Sequence, residues 1–220
     1  MKTTQLISDT LPTLKTSDTG SHALQLMNDF HVQHLAVVDE KKLLGLISEE
    51  IILNHHHDED VVGSYELLNN KIYVIDEEHI FELLKIAFDS KLTIVAVLDK
   101  DKKFLGVVTR FNMINYFVTE TDLTAPGSIL VLDVAEKNYS MAEIARIVEG
   151  ENARIIGSFI GTSQETKHTT ITLKLNVEDL QPLIQAFERF SYVVLESYQE
   201  PEYFDNLKDR YDSLMNFLNV

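Results

Sequence analysis

The sequence predicts an α+β protein in which a duplicated β-α-β-β-α unit is followed by a β-α-β-β-α-β unit. Three observations lead to this prediction: an apolar pattern that recurs after about 60 residues, helix-type apolar spacing before each pair of strands, and a new element order after the Pro126-Gly127 break. We divide the chain into repeat 1 (1–60), repeat 2 (61–120), a linker (121–128), a third unit (129–199) and a C-terminal helix (200–220).

The repeat is clearest in two apolar runs and the turn that joins them. In repeat 1, residues 35–39 (Leu-Ala-Val-Val-Asp) and 45–48 (Gly-Leu-Ile-Ser) flank a charged segment. In repeat 2, residues 95–99 (Val-Ala-Val-Leu-Asp) and 106–109 (Gly-Val-Val-Thr) do the same. Apolar runs joined by a short charged segment predict a β-hairpin in each repeat.

Helices are predicted on both sides of each hairpin. Apolar residues recur at i, i+3, i+4 and i+7 before each one, at Ala23, Leu26, Met27 and Phe30 and again at Ile80, Leu83, Leu84 and Ala87. Short helices follow at 49–54 and 110–118, and β-rich fragments at 11–14 and 72–75 open the two units. A single unit of this size buries too little apolar surface to be stable alone. We therefore expect the two copies to pack sheet to sheet, with a cleft at their junction.

This duplicated order resembles the CBS domain, the cystathionine β-synthase module, which occurs as tandem pairs. The resemblance covers roughly residues 1–120 and is carried by Ser8-Asp9 with Pro12-Thr13-Leu14, by the helix through Ala23 and Met27, and by both hairpins. It implies that adenosine-containing ligands (AMP, ADP, ATP or S-adenosylmethionine) bind in clefts between the paired repeats.

The family's ligand motif is Gly, two apolar residues, Thr or Ser, two variable residues, then Asp or Asn. Repeat 2 satisfies it from Gly106 to Asn112. The resemblance implies that Asn112 accepts hydrogen bonds from ribose hydroxyls, that Thr109 bonds a phosphate or ribose, and that Arg110 neutralises a phosphate. Because Asn112 stands in place of the commoner Asp, it keeps an acceptor but loses the charge. Alternatively, Thr109 only caps the following helix and Asn112 is a solvated helix residue.

Repeat 1 departs from this motif. Ile51 occupies the position of Asn112 and has no hydrogen-bonding side chain, and Glu49 and Glu50 would repel a phosphate. We therefore predict that the site of repeat 1 is degenerate for nucleotides.

A histidine and acid cluster lies where the repeats join, at residues 54–60. His55, His57 and Asp58 are weak metal-ligand candidates. Neighbouring residues on a loop rarely converge on one ion, so we predict a polar linker and no metal site. His31 and His34 flank the first strand of repeat 1 and are candidates to line the cleft, although His34 also fits a packing role.

The third unit reads as strands and helices in the order β-α-β-β-α-β, which predicts a ferredoxin-like sandwich. Its strands are predicted at 129–134, 153–161, 170–175 and 193–197, a Ser140-x-x-Glu143 capping box opens its first helix, and Pro182 lies in the first turn of its second helix. The unit resembles the ACT domain, a small-molecule module known mostly for amino-acid sensing. Residues 136–140 lack the Gly often found there in that family, so a structural or dimer-forming role is favoured over amino-acid binding.

An apolar stripe in the tail predicts a helix that packs on this chain or on a second copy.

Composition excludes several classes of function. The chain has 220 residues with 19 basic and 35 acidic side chains, and its net charge of −16 disfavours nucleic acid and acidic membrane surfaces. The absence of cysteine excludes thiol nucleophiles and zinc fingers. Since no secretory signal or long apolar run is visible, we expect a cytoplasmic protein.

No phosphate loop or nucleophile–base arrangement is visible, so we predict that the protein is not an enzyme.

The domain order resembles bacterial regulatory proteins of the acetoin-utilisation type. We expect a homodimeric ligand sensor in which AMP, ATP or S-adenosylmethionine acts as ligand and no other cofactor is needed. The alternative is a constitutive homodimeric scaffold that binds no nucleotide and docks another protein.

Overall fold

The computed structural model describes residues 3–55, 57–162, 167–199 and residue 215. The chain forms two compact units, Met1–Phe117 and Val118–Val220. The first contains both repeats and the second contains the β-α-β-β-α-β unit, so the predicted α+β fold class is confirmed. The predicted C-terminal helix lies outside the described residues except for Met215.

Repeat 1 contains α1 (Gly20–Asp29), β1 (His34–Asp39), β2 (Lys42–Ser48) and α2 (Glu49–Asn54). Repeat 2 contains β3 (Tyr73–Ile75), α3 (Ile80–Asp89), β4 (Ile94–Leu98), β5 (Phe104–Thr109) and α4 (Arg110–Thr119). Strands β1 and β2 form an antiparallel hairpin, as do β4 and β5, while β3 pairs with β4 in parallel. His31 and Lys91, each two residues after the end of α1 or α3, both have positive φ. The turns that follow these helices therefore repeat as well.

The predicted opening strand of repeat 1, residues 11–14, is wrong in extent. Only Leu14 forms a β-bridge, parallel to Val37 of β1. Pro12 has no N–H to donate to a ladder. The chain then turns at once, because the Asp18 carboxylate accepts a hydrogen bond from the Lys15 backbone N–H at 2.7 Å.

Each repeat packs its leading segment against the other repeat. The Ser8 backbone N–H donates to the carbonyl of Val107 in β5 at 2.8 Å, and Leu6 is buried in the core between α3 and the β4–β5 hairpin. Reciprocally, the Leu68 backbone N–H donates to the carbonyl of Leu46 in β2 at 2.7 Å, and Tyr65 is buried in the core of repeat 1.

One core also spans both repeats. Buried residues of β1, among them Leu35 and Ala36, share a hydrophobic cluster with Ile94 and Ala96 of β4. The expectation that the two copies pack as one body is therefore confirmed. Neither hairpin could bury these residues alone, and their burial removes the apolar surface that would otherwise contact water.

The second strand of each hairpin contains a glycine at the point where the leading segment of the other repeat crosses it. We call these two leading segments, one containing Leu6 and Ser8 and the other Tyr65 and Leu68, the exchanged segments. A Cβ on Gly45 would lie 2.6 Å from the Leu68 carbonyl oxygen. A Cβ on Gly106 would collide with the Ile7 side chain, and Gly106 has φ of +157°, which L-residues rarely adopt. The two glycines therefore give the exchanged segments room to approach the hairpins.

The second unit contains β6 (Ser128–Ala135), α5 (Met141–Gly150), β7 (Ile155–Thr162), β8 (His168–Leu175), α6 (Gln181–Arg189) and β9 (Val193–Tyr198). Its antiparallel sheet has the order β7-β8-β6-β9, and both helices bury their apolar stripes on one face of it. This is the predicted ferredoxin-like arrangement. Lys174, on the face of β8 opposite Leu173 and Leu175, is also buried, and its ammonium group donates to the Gly127 carbonyl at 3.1 Å.

No helix in the described parts of either unit is both long enough and apolar enough to span a bilayer.

Replacing Gly45 by alanine should lower the free energy of unfolding by about 1–3 kcal/mol, because the new methyl group meets a backbone carbonyl that cannot rotate away. Gly150→Ala is the control, since a Cβ there meets no atom within 4 Å, and alanine in a helix is neutral or stabilising. Urea unfolding of both variants provides the measurement. Equal stability of the two variants would contradict the proposed steric role of Gly45.

Candidate functional site

Two of the clefts in the unit that contains the repeats follow its internal duplication. The larger, which we call the Thr109 cleft, has a volume of about 780 Å³. It is formed by residues 7–11, 30–33, 93 and 109–112. Both repeats and the exchanged N-terminal segment therefore contribute to it. Its volume is in the range of small-molecule sites.

The predicted motif of repeat 2 forms one wall of the Thr109 cleft. Thr109 ends β5, and its hydroxyl oxygen accepts a hydrogen bond from the Asn112 backbone N–H at 3.1 Å, which caps α4. The Asn112 side-chain oxygen in turn accepts from the Thr109 backbone N–H at 3.1 Å and from the Thr109 hydroxyl. Thr109 and Asn112 thus cap the helix reciprocally while both line the cleft.

Arg110 supplies the positive charge of this wall. Its Nε–H donates to the Leu92 carbonyl at 2.7 Å, which holds the base of the guanidinium group against the turn between α3 and β4. Among the described residues, no carboxylate lies within ion-pair distance of Arg110. The remaining guanidinium donors can therefore bind an anion in the cleft.

Backbone and side-chain hydrogen bonds join the two repeats between the clefts. The Gln33 backbone N–H donates to the Thr93 hydroxyl oxygen at 3.0 Å, and the Thr93 backbone N–H donates to His34 Nδ1 at 3.3 Å. Thr93 Oγ1 also lies 3.0 Å from His34 Nδ1. Since Nδ1 accepts from a backbone N–H, the His34 ring is neutral in this arrangement. Burial, and secondarily the positive charge of Arg110, lowers the pKa of His34 to about 4.

The second cleft, which we call the Ser48 cleft, has a volume of about 510 Å³. It is lined by residues 33, 34, 48–50, 53, 54, 68, 90 and 91. Ser48 caps α2 by accepting from the Ile51 backbone N–H at 3.2 Å, as Thr109 caps α4. Glu49 and Glu50 put two carboxylates into this wall, where Arg110 and Phe111 stand in the other cleft.

The histidine and acid cluster does not form a metal centre within the described residues. His55 pairs with Asp60 at 3.2 Å, and its ring packs on Tyr65 with centroids 4.6 Å apart. The backbone carbonyl of His57 accepts from the Tyr65 hydroxyl at 2.7 Å, and the carbonyl of Asp58 accepts from a backbone N–H of α1. These residues tie the end of repeat 1 to its own core.

The second unit has a cleft of its own, of about 540 Å³, where β6 ends and α5 begins. Asn138 lines it and belongs to the loop at 136–140, which lacks the glycine often found there in the ACT family. His168 Nδ1 lies 2.7 Å from Asp133 Oδ2, and the Tyr192 hydroxyl donates to Glu143 at 2.7 Å. Burial and the bond to Glu143 raise the pKa of Tyr192 to about 12. The structural or dimer-forming role favoured for this unit stays a prediction, and amino-acid binding stays its alternative.

Sequence reasoning missed several contributors to the clefts. Thr93, Gln33 and Phe30 line one or both of them and lie outside the motif that resembles the family, while Phe111 occupies one of the variable positions of that motif. Gln33 and Thr93 carry a recoverable signal, because both immediately precede a predicted first strand and are equivalent in the repeat. His31 and His34, named as candidates, line the Thr109 and Ser48 clefts respectively.

Stability should fall between pH 6.5 and pH 4 because of His34. In the unfolded chain the imidazole takes up a proton near pH 6.5, whereas the folded chain resists protonation down to about pH 4. The unfolded state therefore binds more protons across this window. After allowance for partial solvent screening, we expect the free energy of unfolding to fall by an amount on the order of 1–2 kcal/mol as the pH drops through this window.

Urea unfolding at several pH values should show a weaker pH dependence in His34→Asn, whose side-chain oxygen can still accept from Thr93. His22→Asn, which removes a solvent-exposed imidazole, should behave like the parent. If His34→Asn kept the parent's full pH dependence, the assignment of this dependence to His34 would be disproved.

Comparisons with known proteins agree with the repeat. The family model described as the CBS domain matches residues 4–58 and 62–119, together just over half of the chain. A choline transport ATP-binding protein, OpuBA from Bacillus subtilis (strain 168), is 32% identical over 112 residues. That alignment covers 50% of this chain but only 29% of the transporter subunit, so the chain spans less than a third of this relative.

Similar solved structures include a CBS domain pair/ACT domain protein from Thermotoga maritima (17% identity, 55% of this chain and 98% of that chain, TM-score 0.49). An acetoin utilization protein, AcuB from Vibrio cholerae, is 20% identical over 56% of this chain and 95% of its own, with a TM-score of 0.48. CBSX2 in complex with AMP is 21% identical over 54% of this chain and 97% of its own, with a TM-score of 0.46. From the family match and the duplicated fold, the chain belongs to the CBS domain family and carries a tandem CBS pair.

Proposed function

We propose that the protein is a non-catalytic sensor in which the CBS pair binds an adenosine-containing ligand in the Thr109 cleft. AMP, ATP and S-adenosylmethionine are the candidate ligands. The observation that carries the proposal is the guanidinium group of Arg110, which forms no ion pair with any described residue and lines a cleft of about 780 Å³ between the repeats. An arginine without a carboxylate partner, in a cleft large enough for a nucleotide, supplies what a phosphate requires.

The two clefts are proposed to differ in their ligands. In the Ser48 cleft the carboxylates of Glu49 and Glu50 raise the cost of bringing in a phosphate. Ile51, at the position of Asn112, offers only apolar contact. We therefore assign nucleotide binding to the Thr109 cleft alone.

Signalling would follow from a difference in ligand affinity between two arrangements of the repeats. A ligand shifts a conformational equilibrium only as far as it binds one state better than another. The Thr109 cleft suits this role, because its walls come from both repeats and from the exchanged segment. The response would reach the ACT-like unit through the segment that follows α4.

The alternative is a constitutive homodimeric scaffold, and exposed apolar side chains favour it. On α3 and α4, Phe88 is 83% exposed and Ile114 is 63% exposed. The edge strand β9 exposes Val193, Leu195 and Tyr198. Apolar side chains gathered on one surface are typical of protein contacts. Homodimer formation is compatible with both functions, so the response to ligand separates them.

Calorimetric titration with AMP, ATP and S-adenosylmethionine tests the sensor directly. At least one should bind and stabilise the fold by about 2.7 kcal/mol when its concentration reaches a hundred times its dissociation constant. Arg110→Ala should weaken binding of a phosphate ligand roughly tenfold or more. Lys85→Ala also removes one positive charge from the repeats but lies outside both clefts, and it should bind like the parent.

Arg110→Lys keeps the charge and should recover part of the lost affinity. Thermal melting without ligand establishes that each variant is folded. Silence of the parent protein toward all three ligands at millimolar concentration would exclude the sensor and leave the scaffold. If Arg110→Ala and Lys85→Ala lost ligand affinity equally, the ligand would bind outside the Thr109 cleft.

A further inference from the structure

The orientation of the Asn112 side-chain amide is fixed by its hydrogen bonds with Thr109. The Thr109 backbone N–H donates to one atom of the Asn112 amide group at 3.1 Å. Only an oxygen can accept this bond, so the side-chain oxygen faces Thr109 and the amide nitrogen faces away. The Thr109 hydroxyl donates to the same oxygen, which then has two hydrogen bonds. The acceptor of Asn112 is therefore already occupied within the protein.

The Thr109 hydroxyl is occupied as well. Its oxygen accepts from the Asn112 backbone N–H at 3.1 Å, and its hydrogen is directed at the Asn112 side chain. Two groups on this wall remain for a ligand. One is the Asn112 amide nitrogen, which makes no hydrogen bond to any described residue, and the other is the guanidinium end of Arg110. Both can only donate.

A ribose with two free hydroxyls is held best by acceptors for both O–H groups, and apart from one lone pair on the Thr109 hydroxyl oxygen the side chains of this wall offer only donors. A phosphate group needs donors and has no hydrogen of its own to place when fully ionised. The neighbouring Arg110 adds a positive charge, and no carboxylate of the described residues lies within ion-pair distance of it. Asp9 also lines the cleft, but it belongs to the exchanged N-terminal segment and not to this wall.

We infer that the Thr109 cleft selects an adenosine ligand that carries a phosphate on its ribose, at the 2′ or 3′ oxygen, and that Asn112 and Arg110 hold this phosphate. The inference rests on the proposed function, because it requires a nucleotide in this cleft with its ribose against α4. It assigns Asn112 as the residue that determines specificity.

Titration calorimetry with a charge-matched series tests this selectivity. ADP and adenosine 3′,5′-bisphosphate both carry two phosphate groups, but only the second has one on the ribose. Adenosine 2′,5′-bisphosphate distinguishes the two ribose positions. We expect at least one bisphosphate isomer to bind roughly tenfold or more tightly than ADP, because the ribose phosphate gains charge-assisted hydrogen bonds.

Asn112→Asp should reverse this preference. Aspartate can still accept from the Thr109 backbone N–H and cap α4, while its second oxygen replaces the donor with a negatively charged acceptor. The variant should bind ADP more tightly than either bisphosphate. Asn115→Asp places the same charge change on the same helix outside the cleft, and it should keep the parent's preference.

The outcomes separate the two proposals. If ADP binds the parent as tightly as both bisphosphates or more tightly, the inference is overturned while nucleotide binding stands. If Asn112→Asp keeps the parent's preference, Asn112 is not the determinant and the inference is again overturned. If neither these nucleotides nor AMP, ATP or S-adenosylmethionine binds, the proposed function itself is wrong. Thermal melting of the unliganded variants shows whether each one is folded.

Discussion

The exchange of leading segments between the two repeats is the constraint on which the rest of this structure depends. Leu6 completes the core of repeat 2 and Tyr65 completes that of repeat 1, so neither repeat has a full core without the other. The shared cluster of β1 and β4 adds to this mutual dependence. The exchange also brings residues 7–11 beside α4, and this juxtaposition creates the Thr109 cleft.

The internal duplication makes two equivalent clefts, and local substitutions make them chemically different. Each has a strand that ends in a capping hydroxyl, Thr109 or Ser48, and each is joined to the other through Gln33, Thr93 and His34. In one cleft the residue after the cap is a cation, and in the other it is a carboxylate. A duplicated scaffold can therefore keep a shared core while its two clefts carry side chains of opposite charge.

Much of the fold follows from the sequence because its signals are local. The bounds of α2 agree with the predicted 49–54, and the Ser140 cap of α5 is formed by the predicted hydroxyl. The missing strand at 11–14 has the local causes of Pro12 and the turn at Asp18, whereas the burial of Lys174 depends on a contact made far along the chain, with the Gly127 carbonyl. The same holds for the site: the motif predicts Thr109, Arg110 and Asn112 as a group, but the direction of the Asn112 amide depends on three-dimensional hydrogen bonds.

The central claim is that ligand chemistry resides between the exchanged repeats, in the Thr109 cleft. Backbone amide chemical shifts, measured by nuclear magnetic resonance during addition of adenosine 3′,5′-bisphosphate, test it most directly. The account predicts the largest changes at Ser8, Thr93 and Arg110, with smaller ones at His34 across the junction. Changes concentrated in the Ser48 cleft or in the second unit would contradict it.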